Sequence, residues 1–198
     1  LWLRARLGKD TLRVAVGRDS RLSGPQLALW LMEAMAAEGL QVTDLGMAST
    51  PAMFMSTVTE GFAFDASVMI TASHLPFNRN GYKFFTKDGG LEKQDIAAIL
   101  ALAGGSEHPG LPAGSIVTGS FMDTYAAQLR KKVQDAAGCE QPLAGMRIVV
   151  DAGNGAGGFY ANDVLKPLGA DITGSQFLEP DGMFPNHIPN PENETAMA

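Results

Sequence analysis

The strongest constraint on the fold is an alternation of short apolar runs with stretches of helical periodicity. "LRVAV" at 12–16, "QVTDL" at 41–45, "ASVMI" at 66–70 and "GYKFF" at 81–85 have the length and composition of buried strands. Between the first two, "SGPQ" opens a helix with Ser23 as N-cap and Pro25 in its first turn. Leu27, Trp30, Leu31 and Ala34 supply its apolar face, and Gly39 ends it. Thr50-Pro51 reads as an N-cap and first position of a second helix that ends near Gly61, and Ile96, Ile99, Leu100 and Ala103 mark a third. Strands alternating with helices predict an α/β fold: three-layer α/β/α units with a mixed, mostly parallel sheet. The short link between "ASVMI" and "GYKFF" permits an antiparallel pair at that edge.

The pattern then restarts. "GGSEHPGLPAGSIVTG" at 104–119 has the Gly and Pro content of a linker. A helix from about Ser120 to Val133, the apolar run "MRIVVD" at 146–151, a Gly-rich turn and a helix ending near Leu168 follow. One complete unit over 1–110 and an incomplete second over 111–198 are therefore expected. The chain opens on "LWLRAR" and stops at "ETAMA", which suggests a fragment of a longer polypeptide.

Composition narrows the function. A formal charge of −6 argues against general nucleic-acid binding. No apolar run approaches the ~20 residues of a membrane span. The single cysteine, Cys139, rules out a disulfide framework within the chain and suits a reducing, intracellular compartment, cytoplasm or plastid. His74, His108 and His187 lie far apart, which disfavours a zinc site.

Against that acidic background, the stretch from Thr71 to Lys87 holds three cations, Arg79, Lys83 and Lys87, and no carboxylate. Ser73 sits three residues past Ile70, beyond the carboxyl end of a strand, where open α/β sheets bind ligands. The loop after the first strand adds Arg18 and Arg21 against Asp19. If the two loops meet on one sheet edge, the site is electropositive and suits a phosphate group. A lone serine is ordinarily a loop or capping residue, and it is this basic setting that singles out Ser73. A Ser-His-Asp hydrolase is disfavoured: the G-x-S-x-G turn is absent, and His74, adjacent in sequence, makes a poor base for Ser73. Phosphoryl transfer, which asks for positioning and positive charge, fits better.

"TASHLPFNRNGYKFF" resembles the phosphoserine loop of the α-D-phosphohexomutases, roughly T-(A/G)-S-H-N-P-x-x-x-N-G-x-K, through Thr71, Ala72, Ser73, His74, Pro76, Asn80, Gly81 and Lys83. "VGRDSRLSG" at 16–24 resembles the family's first-strand loop, and "FMDTYAAQL", "VVDAGNGAGG" and "EPDGMFPNHIPNPE" resemble its second domain. A phosphoglucomutase/phosphomannomutase-like branch is the nearest. The resemblance implies a four-domained enzyme that interconverts hexose 1-phosphate and hexose 6-phosphate through a phosphoserine and a bisphosphorylated sugar. It implies that phosphorylated Ser73 is the donor and that His74 and Lys83 serve proton transfer and charge balance. Arg18 would hold the phosphoserine region. Mg²⁺ would bind one phosphoserine oxygen and an Asp-x-Asp-x-Asp loop, with hexose 1,6-bisphosphate as activator. Phosphorylated hexose and the remaining domains of the same enzyme are then the partners, without nucleic acid or membrane. Two departures stand out. Leu75 replaces the common Asn, and no Asp-x-Asp-x-Asp occurs, so the fragment alone is expected to be inactive.

Two other readings compete. One is a non-catalytic binding module on the same fold. The other is a nucleotide-dependent oxidoreductase, because "GNGAGG" at 153–158 satisfies G-x-G-x-x-G, with Asp171 downstream. The preferred reading of that stretch is a tight turn, since Asp151 would set a carboxylate beside a pyrophosphate. Trp30 and the methionines at 47, 53, 55 and 69 are expected in the core, His187 is expected to be structural, and the sequon Asn193–Thr195 is attributed to chance.

Overall fold

The computed structural model describes residues 1–105, 110 and 112–190, so His108 and the sequon lie outside the described residues. A short helix α1 (Trp2–Leu7) precedes the central strand β1 (Arg13–Arg18). Then come α2 (Gly24–Ala37), β2 (Gln41–Met47), α3 (Thr50–Met55), β3 (Ala66–Ile70), β4 (Tyr82–Thr86), β5 (Gly89–Gly90) and α4 (Lys93–Ala103). Strand β6 (Ser115–Thr118) and helix α5 (Met122–Ala137) follow. The sheet order is β5-β4-β3-β1-β2-β6. β3, β1, β2 and β6 run parallel, and β4 and β5 pair antiparallel at one edge. The mixed, mostly parallel α/β sheet is therefore as expected.

Alternation along the strands divides the core between the two sheet faces. Ala15, Leu45 and Met69 pack with Ala52 and Met53 of α3 and with Phe121 and Tyr125 at the start of α5. Val16, Val42 and Ile70 point the other way, onto Ala28 and Met32 of α2. Strands buried on both faces read as continuous apolar runs, which is why β1 and β3 stand out in the sequence.

Three local expectations change. Trp30 is 60% exposed rather than in the core. The buried stripe of α2 is Gly24, Ala28 and Met32, spaced by four. At about 100° per residue, Trp30 lies roughly 200° round from Ala28, on the solvent side. The cap of α3 is Ser49, whose Oγ accepts from the Ala52 amide at 3.3 Å, one residue before the expected Thr50. Within the stretch read as a linker, Ser115–Thr118 pairs with β2 as a sixth strand of the first sheet.

The second unit is less regular. "MRIVVD" forms two isolated parallel bridges, Arg147 with Asp171 and Asp151 with Gln176, rather than a continuous strand. The helix expected after the Gly-rich turn is a π-helical segment, Tyr160–Leu165. Ala126 of α5 packs there with Val164 and Leu168, while Phe159 touches both this cluster and the first core. Helix α5 thus joins the two units. No helix among the described residues is long and apolar enough to cross a membrane.

Candidate active site

The register of the parallel strands delivers two loops to one sheet edge. Arg18 pairs with Ile70, and the Asp19 amide donates to the Ile70 carbonyl at 3.1 Å. The loop after β1 and the loop after β3 therefore leave the sheet side by side, and their buried polar groups interlock. Asp19 Oδ2 accepts from Arg21 Nε at 3.1 Å and from Thr71 Oγ1 at 2.7 Å. Thr71 Oγ1 in turn accepts from the Ser73 amide at 2.9 Å. Ser73 is thereby held at φ 55°, in the left-handed region, which costs a non-glycine residue about 1–2 kcal/mol.

Arg21 is fully buried. Its Nη1 donates to the carbonyls of Pro76 at 2.6 Å and Arg79 at 3.1 Å, and its Nη2 to those of Ser73 and Leu75, each at 2.8 Å. Every turn of the serine loop is thus tied to one guanidinium. Farther along, the Asn80 side-chain amide donates to Ser23 Oγ at 3.0 Å, joining the loop to the start of α2.

Ser73 and His74 line a cavity of about 500 Å³. Asp19, Ser20, Ser49, Thr50 and Met69 form its wall on the first unit. The opposite wall is the glycine turn with Asp151, Gly153, Gly155 and Gly157, together with Phe184, His187 and Asn190. Ser20 Oγ is buried without a hydrogen-bond partner among the described residues, so a polar ligand could still use it.

The second-unit wall is set by an ion pair that sequence reasoning left as structural. His187 Nε2 lies 2.9 Å from Asp151 Oδ1, and its Nδ1 lies 3.1 Å from the Ile188 carbonyl. Both ring nitrogens face acceptors, which only the doubly protonated imidazolium satisfies. The Asp151 hydrogen bond and the Ile188 carbonyl accordingly hold the His187 pKa above its ordinary value, against the effect of burial. Burial pushes the Asp151 carboxyl up, but the bonds from His187, the Gly153 amide and Gln176 outweigh it and leave that pKa low. Gly153 (φ 51°) makes room for the ring: a Cβ there would stand 2.8 Å from His187 Cε1. With both nitrogens engaged, His187 latches the 179–188 loop onto the glycine turn rather than offering a free base.

The glycines of 153–158 have a packing role too. A Cβ on Gly158 would stand 1.9 Å from the Leu178 carbonyl oxygen. Close backbone approach, followed by a π-helical segment, explains this turn without a dinucleotide.

The remaining expected residues, Arg18 and Lys83, do not line the cavity but adjoin residues that do. Arg18 is half-buried with its stem beside Gly24, and its neighbours Asp19 and Ser20 form the wall. Lys83 is exposed on β4, opposite the cavity-lining Met69 and on the same face of the sheet. Both carboxylates at the cavity are already engaged by protein donors, and no group of three His, Cys, Asp or Glu suited to a metal occurs among the described residues. These residues do not make a Mg²⁺ site of their own. Sequence reasoning missed the roles of Arg21 and of Asp151 with His187. The available signals were the Asp19-x-Arg21 pair in a loop short of acids, and a histidine set between prolines.

The fold and site define a class: an α/β/α unit carrying a serine loop at the carboxyl ends of its parallel strands, closed by a second unit. Residues 2–107 match the family model for phosphoglucomutase/phosphomannomutase α/β/α domain I, and residues 123–198 match that for domain II. The chain belongs to the phosphoglucomutase/phosphomannomutase family. It is 35% identical to a phosphoglucomutase of Neisseria gonorrhoeae, covering 92% of this chain and 38% of that protein. It is 34% identical to a phosphomannomutase/phosphoglucomutase of Pseudomonas aeruginosa, covering 96% and 40%. A phosphoglucosamine mutase of Corynebacterium jeikeium is 35% identical over 87% of this chain and 39% of its own length. A crystal structure of a family protein from Burkholderia thailandensis superposes with TM-score 0.80 at 28% identity, covering 98% of this chain and 41% of that one. The chain thus spans about two fifths of the length of these relatives.

Proposed function

We propose that this chain is the N-terminal part of a phosphohexomutase in which Ser73 carries the phosphoryl group between the 1- and 6-positions of a hexose. The observation that carries the reading is Ser73 itself. It is held in the left-handed region by the Thr71–Asp19–Arg21 chain and set at a cavity that both units wall. The bond between Ser73 Oγ and phosphorus breaks as a substrate hydroxyl oxygen bonds to phosphorus. The hydroxyl proton passes to a nearby group, with His74 and Lys83 the candidates. The bisphosphorylated sugar then returns its other phosphoryl group to Ser73 by the reverse step. Mg²⁺, with acids supplied by the remaining domains of the enzyme, would offset the charge on the transferring group. A hexose 1,6-bisphosphate would charge the serine, and the substrate hydroxyls would be read by those remaining domains.

Incubating the full-length parent with glucose 1,6-bisphosphate tests this. Peptide mass spectrometry is expected to find phosphate on Ser73, and Ser73→Ala is expected to abolish mutase activity. Full activity in Ser73→Ala would overturn the assignment and favour the non-catalytic module.

A further inference from the structure

We propose that Arg21 is the positioning residue of the serine loop: its buried guanidinium gathers the loop's carbonyl oxygens so that they do not face a phosphorylated Ser73. The inference rests on the phosphoserine reading. All five N–H donors of the guanidinium are used, one on Asp19 and four on the carbonyls of Ser73, Leu75, Pro76 and Arg79. No peptide bond here is cis, so each carbonyl bound to Arg21 turns the N–H of its own peptide the other way. The amides of His74, Phe77 and Asn80 are the ones so turned. Oxygens that would repel a phosphate dianion are collected on one cation behind the loop. Towards the cavity the loops after β1 and β3 present Asp19, Ser20, Thr71, Ser73 and His74.

A buried charge is tolerated only where its donors are satisfied, and here every one is. A lysine cannot substitute. Its ammonium is a point with three donors, whereas the guanidinium spreads five in a planar fork. The second unit also bears on the device. Phe184 lies 5.2 Å from the Arg21 guanidinium carbon, ring face towards the cation, and Gly182 is pressed against the backbone of Ser20 to Leu22. The loop that carries His187 therefore covers the same arginine that organises the serine.

The test uses the full-length parent and three readouts: the single-turnover rate of Ser73 phosphorylation by glucose 1,6-bisphosphate, the steady-state KM of the mutase reaction, and amide hydrogen exchange over 72–80. Arg21→Lys is expected to slow transfer on the order of 10²-fold, as a misplacement of about 1 Å would. KM is expected to change less than about threefold, because substrate is held elsewhere. Exchange over 72–80 is expected to rise without a matching rise in the strands. A folded Arg21→Lys with wild-type transfer and wild-type loop exchange overturns the proposal. Should Arg21→Lys not fold, the isosteric Asp19→Asn decides by the same readouts: loosened 72–80 amides with slower transfer support it, and unchanged values overturn it. If wild-type Ser73 is never phosphorylated, the phosphoserine reading fails. If it is phosphorylated and both variants match it, only the role of Arg21 fails.

Discussion

Replacing Gly153 by alanine tests how the second-unit wall is held. Two costs follow from the structure. Gly153 has φ 51°, where an L side chain costs about 1–2 kcal/mol. The new Cβ would also stand 2.8 Å from His187 Cε1, so the ring must move and the 2.9 Å bond to Asp151 is lost. Both side chains are partly exposed, at 22% and 32%, so that bond is placed at about 1–2 kcal/mol, the low part of the range for charged groups. The sum is about 2–4 kcal/mol against docking of the 179–188 loop. The assay is an NMR titration of the imidazole protons, tractable because the chain has three histidines, combined with urea denaturation. In the wild type His187 is expected to titrate above the ordinary histidine value, and in Gly153→Ala to return towards about 6.5. If His187 titrates identically in both proteins and the urea midpoint does not move, the latch reasoning is wrong.

The same pair fixes a pH dependence. The His187 pKa is raised, so its stabilisation is complete below about 6.5 and fades as pH rises through the folded value; that of Asp151 is lowered, so its share is complete above about 4 and is lost as pH falls through the folded value. Protection of the 179–188 amides should therefore peak between about pH 4 and 6.5, and His187→Gln should flatten the alkaline side of the profile. Gly182→Ala, whose Cβ would stand 2.3 Å from the Ser20 carbonyl oxygen, should raise hydrogen exchange and proteolysis over 179–188 while the strands of the first sheet stay protected. Met53→Ala, at a fully buried position, should cost about 2–5 kcal/mol in urea melts. Trp30→Ala on the exposed face of α2 should stay within about 0.5 kcal/mol, and a reversal of that order would refute the burial assignments.

The centre of the first sheet was legible because β1 and β3 are buried on both faces and so are apolar over most of their length. What failed was decided by partners distant in sequence. Trp30 belongs to a helical apolar pattern, yet α2 turns the small Gly24 and Ala28 towards the sheet, because close packing favours them there. "SIVT" at 115–118 is all exposed and flanked by glycines, so only its pairing with β2 makes it a strand. At the site, Ser73 was readable from its place past a strand and from its acid-free neighbours. Arg21 was visible as a charge in the first loop but not as a buried one. Its burial follows from carbonyls more than fifty residues away, which no local pattern encodes. His187 looked structural, and its hydrogen bonds fit that reading, but its place at the cavity depends on Asp151, 36 residues earlier.

The cavity also answers an objection raised by the sequence. An acidic chain with Asp19 and Asp151 beside its glycine turn and serine loop looks badly suited to a phosphate. At an effective dielectric of 20, an unpaired carboxylate about 4 Å from a single phosphate charge would repel it by about 4 kcal/mol. Neither carboxylate is unpaired. Asp19 is occupied by the backbone and side chain of Arg21 and by Thr71, and Asp151 by His187, the Gly153 amide and Gln176. Each acid is matched to one cation, and each cation also holds backbone carbonyls, so the two pairs spend their charge on shaping the walls. On the phosphoserine reading, the field at Ser73 then comes from the exposed cations Arg79 and Lys83, from backbone amides and from the rest of the enzyme, while Arg21 acts on geometry. Lys87 follows the end of β4 that pairs with Ser67, so it lies at the opposite sheet edge. That division makes loop shape and net charge separable. Neutralising Lys83 should change transfer without changing loop exchange, whereas disturbing Arg21 should change both.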